Sequence, residues 1–201
     1  MNSESLDHAS GLFLLKRAAR SRPATLPQPM DTAKLRAYPD TMLIRSETPS
    51  DIDAIRALTE TAFGQPDEAR LVDLLRADGD AAISFVAVLD DQIVGHVLFS
   101  PMAAPVKTLG LAPVSVAPTY QKQGIGAQLI RRGLSQAQLD GWQASFVLGN
   151  PDYYTRFGYS VEAAKGFTNQ FAGPYFMARE LAPDALKTPF AVSYAPAFDK
   201  L

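Results

Sequence analysis

The chain contains no cysteine. Disulfides, thiolate nucleophiles and thiolate-held zinc are therefore excluded. Histidine is almost missing as well: His8 and His96 are the only two, too few for a histidine-rich metal site. No apolar run reaches the roughly 20 residues that a membrane-spanning helix needs. Excess charge of one sign is also lacking. The formal net charge is −2 and no long basic run is present, so nothing suggests nucleic-acid binding. What remains is an ordinary globular composition of 201 residues, 47% apolar and 20% charged. That is enough for one domain with a substantial core.

Residues 1–41 differ from the rest. They mix Ser, Pro and Ala with Lys16, Arg17, Arg20 and Arg22 and show no sustained period. The run Leu12 to Leu15 is too short for a secretory core, and the basic residues follow it rather than precede it. Glu4 and Asp7 count against an organelle transit peptide. The expectation is a flexible extension over 1–41 and a folded domain over 42–201. Met30 and Met42 are alternative starts of translation. With no membrane span or secretory leader, the expected location is cytoplasmic.

The densest signal is Val114 to Ile130. It reads as a buried strand, a short loop and a helix. The loop Gln121-Lys122-Gln123-Gly124-Ile125-Gly126 has the form Gln-x-x-Gly-x-Gly, and its last glycine opens the helix. Backbone N–H groups there converge at the positive end of a helix dipole, which favours an anion. Lys122 adds a flexible positive charge. A side chain at Gly124 or Gly126 would hold a phosphate off the backbone. The dinucleotide fingerprint is excluded because Leu129 stands where a third small residue is needed, and the Gly-Lys-Ser/Thr of a Walker A loop is missing. By itself the loop also fits an ordinary tight turn.

Elsewhere the pattern predicts alternating elements. Met42 to Arg45 reads as a strand. Pro49-Ser50-Asp51 caps a helix with Ile52, Ile55, Leu58, Thr59, Ala62 and Phe63 on one stripe. Asp67 and Glu68 open a second helix, with Leu71, Val72, Leu74 and Leu75 inward. Ile83 to Leu89 and Ile93 to Phe99 form a hairpin around Asp90-Asp91-Gln92. A loop is expected from Pro101 to Lys107 and a strand from Leu109 to Val116. Pro113 marks an edge or a bulge in that strand, since proline cannot donate to a ladder. The helix from Gly124 to Leu139 is followed by a strand over Ser145–Leu148 and a short helix opened by Pro151. Strand-like pieces follow at Tyr159–Glu162, Tyr175–Arg179 and Phe190–Tyr194. This order predicts an α/β sandwich with a mixed sheet.

From Met42 onward the chain resembles the GCN5-related N-acetyltransferase (GNAT) superfamily, in particular its YhbS-like subgroup of predicted acetyltransferases. The likeness rests on Met42-Leu43-Ile44-Arg45 with Asp51, and on Ala62-Phe63, Glu68 and Leu71 to Arg76. It continues through Ile93 to Ser100, the Gln121–Gly126 loop, and Val147 to Tyr159 with its Tyr154-x-x-x-Gly158-Tyr159. It covers about four fifths of the chain. One position departs from the superfamily: the Asn that often precedes the late Tyr by seven residues is Val147 here. Asn150 is nearer, and no cofactor role is carried over to it.

The resemblance implies a mixed, largely antiparallel sheet with helices on both faces and a bulge-driven splay between the fourth and fifth strands. It implies acetyl-CoA as co-substrate and no metal. The pyrophosphate would lie at Gln121, Lys122, Gln123, Gly124, Ile125 and Gly126, and the pantetheine arm along Val114 and Val116. A backbone N–H near Val116 would face the oxyanion. Tyr154 would be the acid for the leaving thiolate, with Tyr153 the second choice. Glu68, His96 or water would take the amine proton, and Arg156 reads as a structural partner. The implied activity is acetyl transfer to a small-molecule or peptide amine, by a monomer or homodimer. A catalytically silent acyl-CoA-binding sensor is the alternative.

Overall fold

Local chemistry sets the ends of the elements. Asp90 and Asp91 both take positive φ, 47° and 60°, as a tight two-residue hairpin requires and as aspartate tolerates. The Asp51 carboxylate accepts the Arg45 guanidinium at 2.6 and 2.9 Å and the Thr48 N–H at 2.7 Å. The Arg45 bond outweighs burial and, with Thr48, holds Asp51 far below the usual carboxylate range. This cluster ties the first strand to the helix that follows it.

The structure is a computed structural model that describes residues 42–201. The expected extension over 1–41 lies outside the described residues. Among the described residues six strands form one sheet in chain order. They are β1 (Leu43–Ser46), β2 (Ile83–Leu89), β3 (Gln92–Met102), β4 (Thr108–Val116), β5 (Ala144–Leu148) and β6 (Phe176–Glu180). All neighbours are antiparallel except β4 and β5, which are parallel. The helices are α1 (Ile52–Phe63), α2 (Asp67–Ala77), α3 (Ile125–Leu139) and the single-turn α4 (Pro151–Tyr154).

Helices cover both faces, as expected. On one face, Leu129, Ile130, Leu134 and Ala137 of α3 pack with Phe85, Phe99 and Val147. On the other, Ile55 of α1 and Leu71 and Leu75 of α2 pack with Leu98, Phe146 and Phe198. Period-two alternation sends Phe146 and Val147 of β5 to opposite cores, and all five β5 residues are buried. Truncating one of these leucines to alanine costs about 2–5 kcal/mol.

The splay follows from register. Between Val97 and Phe99, β3 advances two residues while β4 runs three, from Val114 back to Leu111. The extra residue lies at Ala112-Pro113, which is the bulge. Beyond it β4 leaves β5: only Thr108, Leu109 and Gly110 pair, with Ala144, Ser145 and Phe146. The Ala117 N–H bonds to Val94 O on β3 at 2.9 Å. By alternation the backbone groups of Val114 and Val116 point away from β3, into the open wedge.

Three segments differ from the sequence expectation. Pro101 lies within β3, which runs on to Met102 and pairs with β4. The β2 ladder stops at Phe99, so Pro101 has a free side and gives up no bond there. Tyr159–Glu162 is not a strand. Ser160 exchanges two bonds with Ala178, but its hydroxyl then accepts the Ala163 N–H at 3.3 Å, and the chain enters a 3-10 turn at Glu162–Ala164. Phe190–Tyr194 makes single bridges, Ala191 to Thr168 and Ser193 to Ala103, and no continuous ladder.

Candidate active site

The Gln121–Gly126 loop is held in place from within. The Gln121 amide donates to the Val116 carbonyl at 3.1 Å, and the Gln123 amide to the Thr119 carbonyl at 3.0 Å. Lys122 and Gly124 take positive φ, 63° and 86°. Such alternation turns successive N–H groups toward one side. The first bond of α3 runs from the Gln128 N–H to Gly124 O, so Ile125, Gly126 and Ala127 have no acceptor within the helix. A Cβ on Gly126 would stand 3.2 Å from the Tyr153 hydroxyl and 3.5 Å from Val116 Cγ2. The close approach explains the second glycine, and the positive φ explains the first.

This loop opens onto a cleft of about 690 Å³. Val114, Val116, Gln121, Lys122, Gly124, Ile125 and Gly126 line it, together with Tyr153 and Tyr154. Gln123 does not. The lining also takes Leu71 and Phe198 from the α1–α2 core and Ile125 from the α3 core. The cleft therefore passes through the sheet, by way of the wedge between β4 and β5.

The two adjacent tyrosines are turned to different tasks. Asn150 caps α4 by accepting the Asp152 N–H at 3.0 Å, and Pro151 starts its single turn. Tyr153 reaches back to Gly126, with Arg156 4.8 Å over its ring. Tyr154 packs flat on Gly149, where a Cβ would be 2.2 Å from its ring. Neither hydroxyl has a hydrogen-bond partner among the described residues. Burial first, then Tyr153 and Tyr159, push the Tyr154 phenol well above its usual value. Tyr159 shares a 2.7 Å bond with Ser145 in β5. Tyr194 lies against Gly110, at the point where β4 and β5 part, and its buried hydroxyl has no hydrogen-bond partner among the described residues. Tyr194, Tyr120, Phe198 and Leu201 were not singled out from sequence; nothing periodic marks them.

The comparisons with known proteins agree with this geometry. Residues 43–161 match the family model described as an acetyltransferase (GNAT) domain. The chain belongs to the GNAT family. The GNAT chain is 37% identical over 151 residues to the uncharacterized N-acetyltransferase YhbS of Escherichia coli, covering 72% of this chain and 90% of that one. It is similar in structure to E. coli YhbS in complex with CoA, with a TM-score of 0.75 and 35% identity over 79% of this chain and 92% of that one. A GNAT family acetyltransferase from Brucella melitensis in complex with acetyl-CoA gives a TM-score of 0.68 and 38% identity, over 79% and 98%.

In this GNAT domain the remaining sequence candidates separate. Glu68 lines the cleft, 6% exposed, and accepts the Gln65 amide at 3.2 and 3.0 Å. Arg156 lines it beside Tyr153 and makes no ion pair among the described residues. His96 does not reach the cleft. It is fully buried, with Nε2 2.9 Å from Ser84 Oγ and 3.4 Å from Glu47. The Ser84 hydroxyl also meets Glu47, which has no proton to give. Ser84 thus donates to Glu47, and His96 Nε2–H donates to Ser84. That leaves Nδ1 buried without a hydrogen-bond partner among the described residues. Burial outweighs Glu47 and pushes His96 down, so the ring is neutral. Burial alone would raise Glu47, but His96, Arg76 and Ser84 carry it down to about 2. His96 is a structural histidine, not a base in the cleft. No described helix is long and apolar enough to cross a membrane. No described cluster of acidic or histidine side chains could hold a metal.

Proposed function

We propose that the chain binds acetyl-CoA in this cleft and transfers the acetyl group to an amine by direct attack in a ternary complex. The observation that carries the reading is the passage of one cleft through the β4–β5 wedge. It joins the phosphate-type loop on one face to Tyr154 and Glu68. The E. coli and Brucella relatives, bound to CoA and acetyl-CoA, support it.

In this reading the N–H groups at the start of α3 and Lys122 hold the pyrophosphate. Gln121 pins the loop to β4, and Gly124 and Gly126 keep its surface open. The outward backbone groups of Val114 and the Val116 N–H, the Val116 carbonyl being held by Gln121, take the amide-bearing arm as an added strand. The amine nitrogen attacks the thioester carbonyl, the C–N bond forms, the C–S bond breaks, and the nitrogen loses a proton. The Tyr154 hydroxyl meets the departing sulfur. An ordinary phenol and thiol differ by about 1.5 pKa units, or about 2 kcal/mol against full transfer, and burial of Tyr154 widens the gap. Tyr154 therefore acts chiefly by donating a hydrogen bond to the departing thiolate and keeps its own proton; the proton that the amine nitrogen gives up, relayed by water, is the one that neutralises the thiolate.

Calorimetry with acetyl-CoA, followed by thiol release with added amines, tests the reading. Binding with amine-dependent release supports it; binding with no release to any amine overturns the transferase part.

A further inference from the structure

A second, open hollow adjoins the cleft, and Arg156 belongs to the lining of both. Arg131 of α3, Arg156 of the turn after α4 and Arg179 of β6 gather there around Phe157 and Gly158. The Arg131 guanidinium stands 5.4 Å over the Phe157 ring. Arg179 donates from Nη1 to the Phe157 carbonyl and runs along Gly158. Arg156 stands 4.8 Å over the ring of Tyr153, whose hydroxyl meets Gly126 at the start of α3. None of the three arginines makes an ion pair among the described residues. The acids of the hollow bond to other groups: Glu162 to Lys165 at 3.3 Å, Asp184 to Lys187 at 3.8 Å, and Glu180 to the Leu186 N–H at 3.1 Å. Two guanidiniums laid on aromatic rings and a third tied to a backbone carbonyl make a positive patch of fixed geometry.

We propose that Arg131 and Arg156, with Arg179 behind them, take the 3′-phosphate of the CoA donor and select it over a ligand that lacks this group. The inference rests on the donor part of the acetyl-transfer reading and deepens it. The 3′-phosphate hangs from the ribose that also carries the pyrophosphate. A pyrophosphate held at Gly124 and Gly126 therefore brings the third phosphate within one ribose of the loop. Arg131 lies about 7.5 Å further along α3 than Gly126, and Arg156 is one tyrosine ring away. A phosphate monoester is close to a dianion at neutral pH and has three strong acceptor oxygens. Planar guanidinium forks match such a group better than a point charge does. The division of labour has a chemical reason. The Gln121–Gly126 loop reads a pyrophosphate through backbone N–H groups, and ADP and the nicotinamide dinucleotide NAD carry that group too. The 3′-phosphate separates CoA from both, and the arginines lie outside the loop, where it would fall.

The test is calorimetry on the full chain with two ligands, CoA and 3′-dephospho-CoA, at one ionic strength. The Kd for dephospho-CoA is expected to be about tenfold or more higher, the scale of lost charge-assisted hydrogen bonds. Arg131→Gln and Arg156→Gln are each expected to weaken CoA about threefold to tenfold and to weaken dephospho-CoA much less, so that the two ligands converge. The double variant should bind them alike. Arg132→Gln removes the same charge from α3, but Arg132 stands 5.0 Å over Phe85, outside the hollow, and should keep the parent's ratio. Equal affinity of the parent for the two ligands overturns the proposal while leaving CoA binding and acetyl transfer standing. A preference that survives in the double variant overturns it too, because another group then reads the phosphate. A preference that falls as far in Arg132→Gln as in Arg131→Gln overturns it by showing net charge rather than contact. Binding of neither ligand by the parent overturns the donor reading itself, and this proposal falls with it.

Discussion

At one end of the cleft, the groups that would meet a pyrophosphate come from one unbroken stretch, Val114 to Ala127. At the other end, the lining is gathered from α1, α2 and the last residues of the chain, Phe63, Glu68, Leu71 and Phe198. The first end is made of backbone, held by two glycines and two glutamine side chains. The second is made of side chains held by tertiary packing. Backbone recognition repeats wherever the loop repeats, whereas side-chain recognition changes with every substitution in its wall. The first end thus speaks for the family and the second for the individual protein.

The sharpest way to break this contrast is to block the backbone end alone. Gly126→Trp places a ring where Tyr153 and Val116 already crowd the Cα. CoA affinity is expected to fall at least about 30-fold, or about 2 kcal/mol. A parent-like Kd by calorimetry would end the loop assignment. Next in size is Tyr154→Phe, at the meeting point of the two ends. It removes one hydroxyl and keeps the ring on Gly149. Turnover is expected to drop at least about tenfold, roughly 1.4 kcal/mol, with acetyl-CoA affinity unchanged. Equal turnover, in an assay limited by chemistry, would remove Tyr154 from the mechanism.

Acid separates the stability of the fold from the cleft. The folded pKa of His96 is depressed, so its stabilisation is complete above the unfolded value of about 6.5. It is lost as pH falls, at up to about 1.4 kcal/mol per pH unit, until the folded ring itself takes a proton. The melting temperature is expected to fall as pH drops below about 6.5, with Arg76 and the low-pKa Glu47 still charged beside it. His96→Gln should flatten that slope; an unchanged slope would show that other groups govern it. The smallest effect belongs to the first 41 residues. A chain starting at Met42 is expected to melt within about 2 °C of the full chain, below what one or two kcal/mol would move. A loss of ten degrees would place those residues in the fold.

How much the sequence disclosed follows the same division. The α3 stripe Ile125, Leu129, Ile130, Leu134 and Ala137 is buried as its period requires. The hairpin at Asp90-Asp91 and the bulge at Pro113 were legible because each depends on the residues that form it. Glu68 was legible only as one option among several. Phe198 and Leu201 carried no signal, and Tyr194 showed only as the end of a strand-like piece, since their positions at the cleft depend on a chain that returns across the sheet. The strand expected at Tyr159–Glu162 is reduced to one bridge, with the Ser160 hydroxyl accepting the Ala163 N–H where the chain enters a 3-10 turn. His96 looked ambiguous until Ser84 and Glu47 were seen to occupy its Nε2.

The three pairs that join β4 to β5 also make a mechanical seam. On one side stands a plate of four antiparallel strands, and on the other a narrow ribbon of two. They are fastened at one edge and free at the other, like a clip. A molecule lying along Val114 and Val116 would add hydrogen bonds across the free edge and brace the clip shut. Such a brace raises resistance to heat with its concentration, by about 2.7 kcal/mol at a hundredfold excess over Kd. The empty clip should yield first along this seam, so amide exchange in β5 should slow more than in β2 when CoA is added.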